Sequence, residues 1–315
     1  MSASPEGYFD YRRRGGVADL SNRVKLRFTG VDGVRYLNGQ LTADIRKLAP
    51  GQSVPACVLT AKGKLCADVF VTAQPDALIV DADEGLQDVL PTRLERYIIA
   101  DNVEVEDVTT SLKLLHLLPP PTETSESAAT AEFRAHGATV ARRFGRPGID
   151  FFLSADASEE MWTRLAHDRA LLDENLIELL RIEAGIPRWG RELTEATLPP
   201  EAGLDRTHID YHKGCYIGQE VISRIKSVGH VNRRLCGFVS TTGTPLAVGA
   251  QLVVPGDEGN PVGTLTSSTQ SFALEKQIAL GYLKRGTPTS ELLARPAEAT
   301  GAAAVVAVRE LPFFS

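Results

Sequence analysis

His208-Ile-Asp-Tyr-His-Lys-Gly-Cys-Tyr-Ile-Gly-Gln-Glu220 is the densest run of polar and conformationally special residues in the chain. Val221, Ile222 and Ile225 follow it, and their spacing predicts a short helix running to about Ser227. Cys215 would then sit just before a helix start, where free amide N–H groups and the helix dipole favour a thiolate. Lys213 adds a nearby positive charge, and Gly214 and Gly218 permit positive φ or close backbone approach. Two readings stand side by side. One is a reactive or metal-binding thiol on a preorganised turn; the other is a buried packing cysteine, since free Cys is among the most buried residue types. His208, His212 and Cys215 have zinc-like spacing on a helix, but Gly214 and a loop conformation weaken that set, and no second cysteine completes it. An iron–sulfur cluster on Cys215 would need ligands from a partner, because such clusters take four protein ligands.

Moving outward, Arg224, Lys226, Arg233 and Arg234 form a basic run, read either as a solvated face or as a site for a small anion. Upstream, Arg181-Ile-Glu-Ala-Gly-Ile-Pro-Arg-Trp-Gly190 closes an apolar helix expected over Asn175 to Glu183. Glu183 falls where that helix meets the core. A buried carboxylate there needs an ion pair with Arg181 or Arg188, or a heterocycle presenting adjacent N–H donors. Downstream, short strands are expected at Leu235–Ser240, Gln251–Val254, Val262–Ser267, Ile278–Leu283 and Val305–Arg309, which reads as a small antiparallel barrel or sandwich.

The N-terminal part mixes both periods. Val24 to Phe28 alternates as a strand, and Asp32 has the position of an N-cap for a helix carrying Val34 and Leu37. Val54–Thr60 and Leu65–Thr72 flank Ala61-Lys-Gly-Lys64 as a hairpin. A short strand at Leu78–Val80, a helix over Glu84–Ile98 and a strand at Val103–Val108 follow. Past Pro119-Pro-Pro121, strands are expected at Thr139–Phe144 and Phe151–Leu153, with a helix from an Asp156/Glu159 capping box to Leu171. In the hairpin, Asp68 stands between Ala67 and Val69, and alternation turns it outward. The expected organisation is α+β: an N-terminal unit over 1–118, a linker over 119–131, a second α+β unit over 132–232 and a β-barrel over 233–315.

Composition sets the outer limits. With 315 residues, 43% of them hydrophobic and 23% charged, the chain can bury a sizeable core and is not largely disordered. A net charge of −6 argues against a globally basic nucleic-acid binder. The longest strictly apolar run, Ala302 to Val308, is far short of a membrane span of about 20 residues. The four cysteines include no Cys-x-x-Cys pair, and a reducing cytoplasm is the expected location. No phosphate loop, dinucleotide fingerprint, nucleophile elbow or His-Glu-x-x-His occurs.

Lys213-Gly-Cys-Tyr-Ile-Gly-Gln-Glu220 resembles the signature of the YgfZ family, folate-binding proteins related to the glycine-cleavage T-protein, with mitochondrial Iba57-type relatives. Ala18-Asp-Leu-Ser, Leu41-Thr-Ala-Asp44, Ala61-Lys-Gly-Lys64, Arg181-Ile-Glu-Ala-Gly-Ile-Pro187 and Val262-Gly-Thr-Leu-Thr-Ser267 fit the same pattern, so the resemblance runs from about Val17 to Phe313. It implies a three-domain α+β ring around a folate-sized channel, closed by a small C-terminal β-barrel. It also implies a role in making or repairing iron–sulfur proteins, including enzymes that thiolate tRNA, with assembly proteins or client cluster enzymes as partners. Cys215 takes the place of the functional thiol, and Lys213, Gly214, Tyr216, Gly218, Gln219 and Glu220 complete the motif. Glu183 matches a folate-contacting Glu of the T-protein, while Trp189 and Arg224 are further candidates for holding a tetrahydrofolate. Two positions depart from the pattern. The first of two paired T-protein aspartates, the catalytic one, is Ala67 here, which argues against the rival activity, folate-dependent aminomethyl transfer. Arg23 and Ile177 stand where some bacterial members place tryptophans against folate.

Overall fold

The computed structural model describes residues 3–123, 137–288, 291–296 and 302–314. Three sheets organise it. The first is antiparallel and contains β2 (Val24–Thr29), β3 (Ser53–Leu59), β4 (Leu65–Ala73), β5 (Leu78–Ala82) and β6 (Glu104–Asp107), in the order β3-β4-β5-β2-β6. Along β4 the period-2 pattern is direct: Leu65, Ala67, Val69 and Val71 are buried, while Cys66, Asp68 and Phe70 project from the other face. Helix α2 (Gly33–Gln40) and the short α3 (Val89–Glu95) cover the buried face through Leu37, Leu90 and Leu94. Asp32 precedes α2 but does not cap it with its side chain; its carboxylate accepts from Asn102 N instead.

The second sheet has the order β10-β1-β7-β9-β8, from β1 (Gly16–Asp19), β7 (Lys113–Leu118), β8 (Thr139–Ala141), β9 (Gly148–Leu153) and β10 (Ala170–Leu171). It crosses the boundaries expected at 118 and 132, because β1 and β7 pair with strands from beyond the linker. Strand β7 is central and buried on both faces, so its sequence, Lys-Leu-Leu-His-Leu-Leu, carries no alternation to mark it. Helix α1 (Pro5–Arg14), with Ser4 as its N-cap, packs Tyr8 and Tyr11 into this unit. Helices α4 (Ala155–Asp168) and α5 (Glu174–Glu183) complete it. The expected Asp156/Glu159 capping box is absent: Ser154 stands at the N-cap of α4, without a side-chain capping bond. Of the expected linker, residues 124–131 lie outside the described residues.

The C-terminal strands close into a six-stranded barrel, β11 (Arg233–Ser240), β14 (Lys276–Lys284), β13 (Gly263–Ser271), β12 (Gln251–Val253), β15 (Glu291–Arg295) and β16 (Ala304–Arg309), in that order. Closure removes the sheet edges, and Phe238, Leu252, Leu292 and Val306 fill the interior. Helix α6 (Gln219–Ser227) precedes the barrel. No helix among the described residues is long and apolar enough to cross a membrane.

Candidate functional site

The motif loop is fastened from below. Lys213 is 5% exposed, and its ammonium donates to the carbonyls of Asn38, Leu41 and Ala43, each at 2.7 Å. Asn38 lies in the last turn of α2, whose final carbonyls have no helical donor, and Leu41 and Ala43 belong to the segment that follows it. Burial pushes the Lys213 pKa down to about 8. Tyr216, its ring 5.4 Å from the Lys213 ammonium, is buried against Cys57, Leu59 and Leu65. Gly218 begins α6 at φ 86°, and a Cβ there would stand 2.6 Å from the Thr60 carbonyl. The Ala61-Lys-Gly-Lys64 turn therefore packs directly against the motif, with Gly63 against Val221.

Cys215 is a free, exposed thiol at the top of this loop. Packing is therefore not its role. Two expectations about its surroundings need correction. The ammonium of Lys213 is spent on three carbonyls, and α6 starts only at Gln219, four residues on, beyond the reach of a dipole that fades within one turn. Gly214 has ordinary φ and open space around it, so neither reason given for a glycine applies there. Gln219 opens α6, and Glu220 is exposed in its first turn, where negative charge is favourable. No cluster of three or more His, Cys, Asp or Glu among the described residues could hold a metal ion. The basic run is also dispersed: Arg233 pairs with Glu201, Arg234 with Glu310, and Lys226 lies over the Tyr211 ring at 4.3 Å.

A separate cleft of about 280 Å³ opens between the two sheets and α5. Asp68, Phe70, Phe144, Arg23, Ile177 and Arg188 are among its lining residues. Its floor is an ion-pair seam. Arg143 grips Asp81 of one sheet with two bonds at 2.8 and 2.9 Å and Asp150 of the other with its Nε, while Arg23 holds Asp81 and Asp83. Burial pushes the Asp81 carboxyl up, but Arg143 and Arg23 outweigh it and hold the pKa at about 2. His116 Nδ1 completes the chain, 2.7 Å from Asp150.

The position of Asp68 overturns one sequence argument. Ala67 points into the hydrophobic core and is fully buried, so a carboxylate there would not face the cleft. Asp68 does face it. Arg23 and Ile177 both line the cleft, but neither is a stacking face; Phe70 and Phe144 supply the aromatic surface instead, with the Arg143 guanidinium 4.5 Å from the Phe70 centroid. The expected folate contacts lie elsewhere. Glu183 borders a different pocket of about 400 Å³, where Ser271 donates to it at 2.6 Å and Tyr8 at 3.2 Å, and burial raises its pKa. Trp189 packs between two core clusters, its amide donating to Asp83, and Arg224 lies exposed on α6. Sequence reasoning passed over Phe70, Phe144 and Arg143; Phe70 shared the alternation signal with Asp68.

Residues 6–137 match the GCVT N-terminal domain, and residues 233–314 match the glycine cleavage T-protein C-terminal barrel domain. The chain is built from GCVT-family domains. A crystal structure of the glycine cleavage system aminomethyltransferase T from Bartonella henselae superposes with a TM-score of 0.84, covering 99% of this chain and 91% of that one at 20% identity, so the two share a fold. Among curated relatives, an aminomethyltransferase of Rubrobacter xylanophilus is 28% identical, over 86% of this chain and 77% of its own length. The iron–sulfur cluster assembly factor IBA57 homolog of Phaeosphaeria nodorum, a mitochondrial protein, is 26% identical, over 89% of this GCVT-family chain and 67% of its own length.

Proposed function

We propose that this chain is a cytoplasmic accessory factor for iron–sulfur cluster assembly or repair, including clusters of tRNA-modifying enzymes. It presents Cys215 to assembly proteins or client enzymes and holds a tetrahydrofolate in the cleft. The observation that carries the reading is the exposed Cys215 thiol on a loop clamped by the buried Lys213. A preorganised soft ligand suits brief coordination of a cluster as cargo, the remaining ligands coming from the partner. Coordination releases the thiol proton to solvent. Tyr216 and Gly218 hold the loop to the hairpin, so the motif residues position the thiol. Phe70, Phe144 and the inner carboxylate of Asp68 fit a flat ring that donates N–H groups, and Arg188, half exposed at the cleft, fits an acidic tail.

The test is biochemical. Purified protein is added to extract containing an air-damaged [4Fe–4S] dehydratase, and recovery of activity is followed with wild type and Cys215→Ala. The reading requires recovery with wild type and none with the variant.

A second reading, folate-dependent aminomethyl transfer, is favoured by Asp68, which keeps a carboxylate in the cleft. Incubation with an aminomethyl donor and tetrahydrofolate separates the two. Sustained methylene-tetrahydrofolate formation, lost in Asp68→Asn, would establish the transferase.

A further inference from the structure

We propose that His208 competes with the cleft's ligand: it holds Asp68 in a loose pair that an N–H-donating amino-heterocycle opens. His208 Nε2 lies 3.0 Å from Asp68 Oδ1. Yet Asp68 Oδ1, shielded from solvent, has no partner with hydrogen-bond geometry. The contact is close enough to attract and too misaligned to satisfy the oxygen. His208 itself lies outside the cleft lining, and three arginines that do line it are engaged elsewhere. Arg23 is committed to Asp81 and Asp83, Arg143 to Asp81 and Asp150, and Arg181 to Glu178 and Glu192. Asp68 is therefore the inner acceptor left for a ligand, with His208 as its rival.

The imidazole is held from behind. Thr207 Oγ1 lies 2.7 Å from His208 Nδ1, and the Thr42 hydroxyl donates to the His208 carbonyl at 2.6 Å. Thr42 also accepts from the Cys57 amide, so the backbone of His208 is tied to the strand opposite Asp68. A ligand must win the Asp68 oxygen from a ring that cannot easily swing away. The group able to do so is an aligned N–H donor on a flat ring, which meets the carboxylate in line and stacks on Phe70 or Phe144. An anionic ring gains nothing at Asp68.

This inference rests on the cleft being the ligand site of the proposed function. Its test uses 2,4-diaminopyrimidine, titrated by calorimetry into the full chain, with orotate as an anionic ring of the same size. Asp68→Asn should weaken the diamine by about tenfold or more, the loss of a charge-assisted bond. His208→Ala should tighten it by about threefold, because the rival is gone. A residue that served only the fold would change affinity in the opposite direction. If His208→Ala does not fold, His208→Phe keeps a ring without a donor and carries the same expectation. Unchanged or weaker binding in the folded His208 variant, orotate binding as tightly as the diamine, or no diamine binding at all would overturn the proposal. The dehydratase test of Cys215 is independent of these readouts, so failure of one is distinguishable from failure of the other.

Discussion

The Lys213 ammonium reaches the carbonyl of Asn38, 175 residues earlier in the sequence, at 2.7 Å, and so ties the thiol loop to the end of α2. Two further carbonyls, of Leu41 and Ala43, complete the clamp. Removing the amine leaves three carbonyls short of a donor. Lys213→Met should therefore lower stability by about 2–4 kcal/mol, read from urea unfolding. It should also speed alkylation of Cys215 by iodoacetamide relative to global unfolding, since the loop loses its anchor. A stability change below about 0.5 kcal/mol would contradict the clamp.

The same lysine gives a pH signature. Its pKa falls from 10.5 in the free side chain to about 8 in the fold. Between those values the unfolded chain binds the proton and the folded chain does not, so stability rises with pH across that window. Lys25 behaves alike, which makes the difference from Lys213→Met the clean readout. The margin of wild type over the variant should widen from pH 8 to pH 10. A constant or shrinking margin contradicts the buried, partly compensated ammonium.

Ala67→Asp tests which face of β4 meets the cleft. The new carboxylate would enter a core of Leu26, Val69 and Val80 without a partner, at a cost of about 3 kcal/mol or more. Asp68→Ala, on the cleft face, should cost far less. Thermal melting of both variants decides it; equal losses would place both side chains in similar surroundings.

Arg143 joins the two sheets through Asp81 and Asp150. Arg143→Met should cost about 3–5 kcal/mol, because it removes the shared cation of two buried carboxylates and leaves Asp81 with Arg23 and Asp150 with His116. Loss of Arg143 should also loosen the cleft, seen as faster amide exchange in Leu78–Ala82 and Gly148–Leu153. Exchange unchanged in both strands would argue against the seam.

Gly218→Ala meets the Thr60 carbonyl and a backbone at φ 86°. A loss of about 1–3 kcal/mol is expected, with Cys215 still exposed. Gly214→Ala, in open space, should be close to neutral by the same melting assay.

Periodic strands with buried faces were legible in the sequence. Val24–Thr29, the hairpin around Gly63 and most of the barrel follow from alternation and turn residues. Strand Glu291–Arg295, which closes the barrel, was not, since its five residues carry one weak alternation among Pro, Ser and Ala. Lys113–Leu118 was hidden for the opposite reason: burial on both faces erases the period. The helix expected over Glu84–Ile98 shortens to a 3₁₀ turn and Val89–Glu95. At the site, the motif marked Lys213 and Cys215, but spacing could not show that the lysine turns down and the thiol up. Nor could it show that Glu183 leaves the cleft, because a helix end fixes a residue's neighbours only once the barrel packs against it, here through Ser271.

The most direct measurement is made in cells lacking this gene and grown with aeration. tRNA thiomethylation is quantified after restoring wild type, Cys215→Ser or Asp68→Asn, each checked for equal protein level. A central role for the thiol predicts rescue by wild type and no rescue by Cys215→Ser. Full rescue by Cys215→Ser, with loss confined to Asp68→Asn, would contradict it and move the function into the cleft.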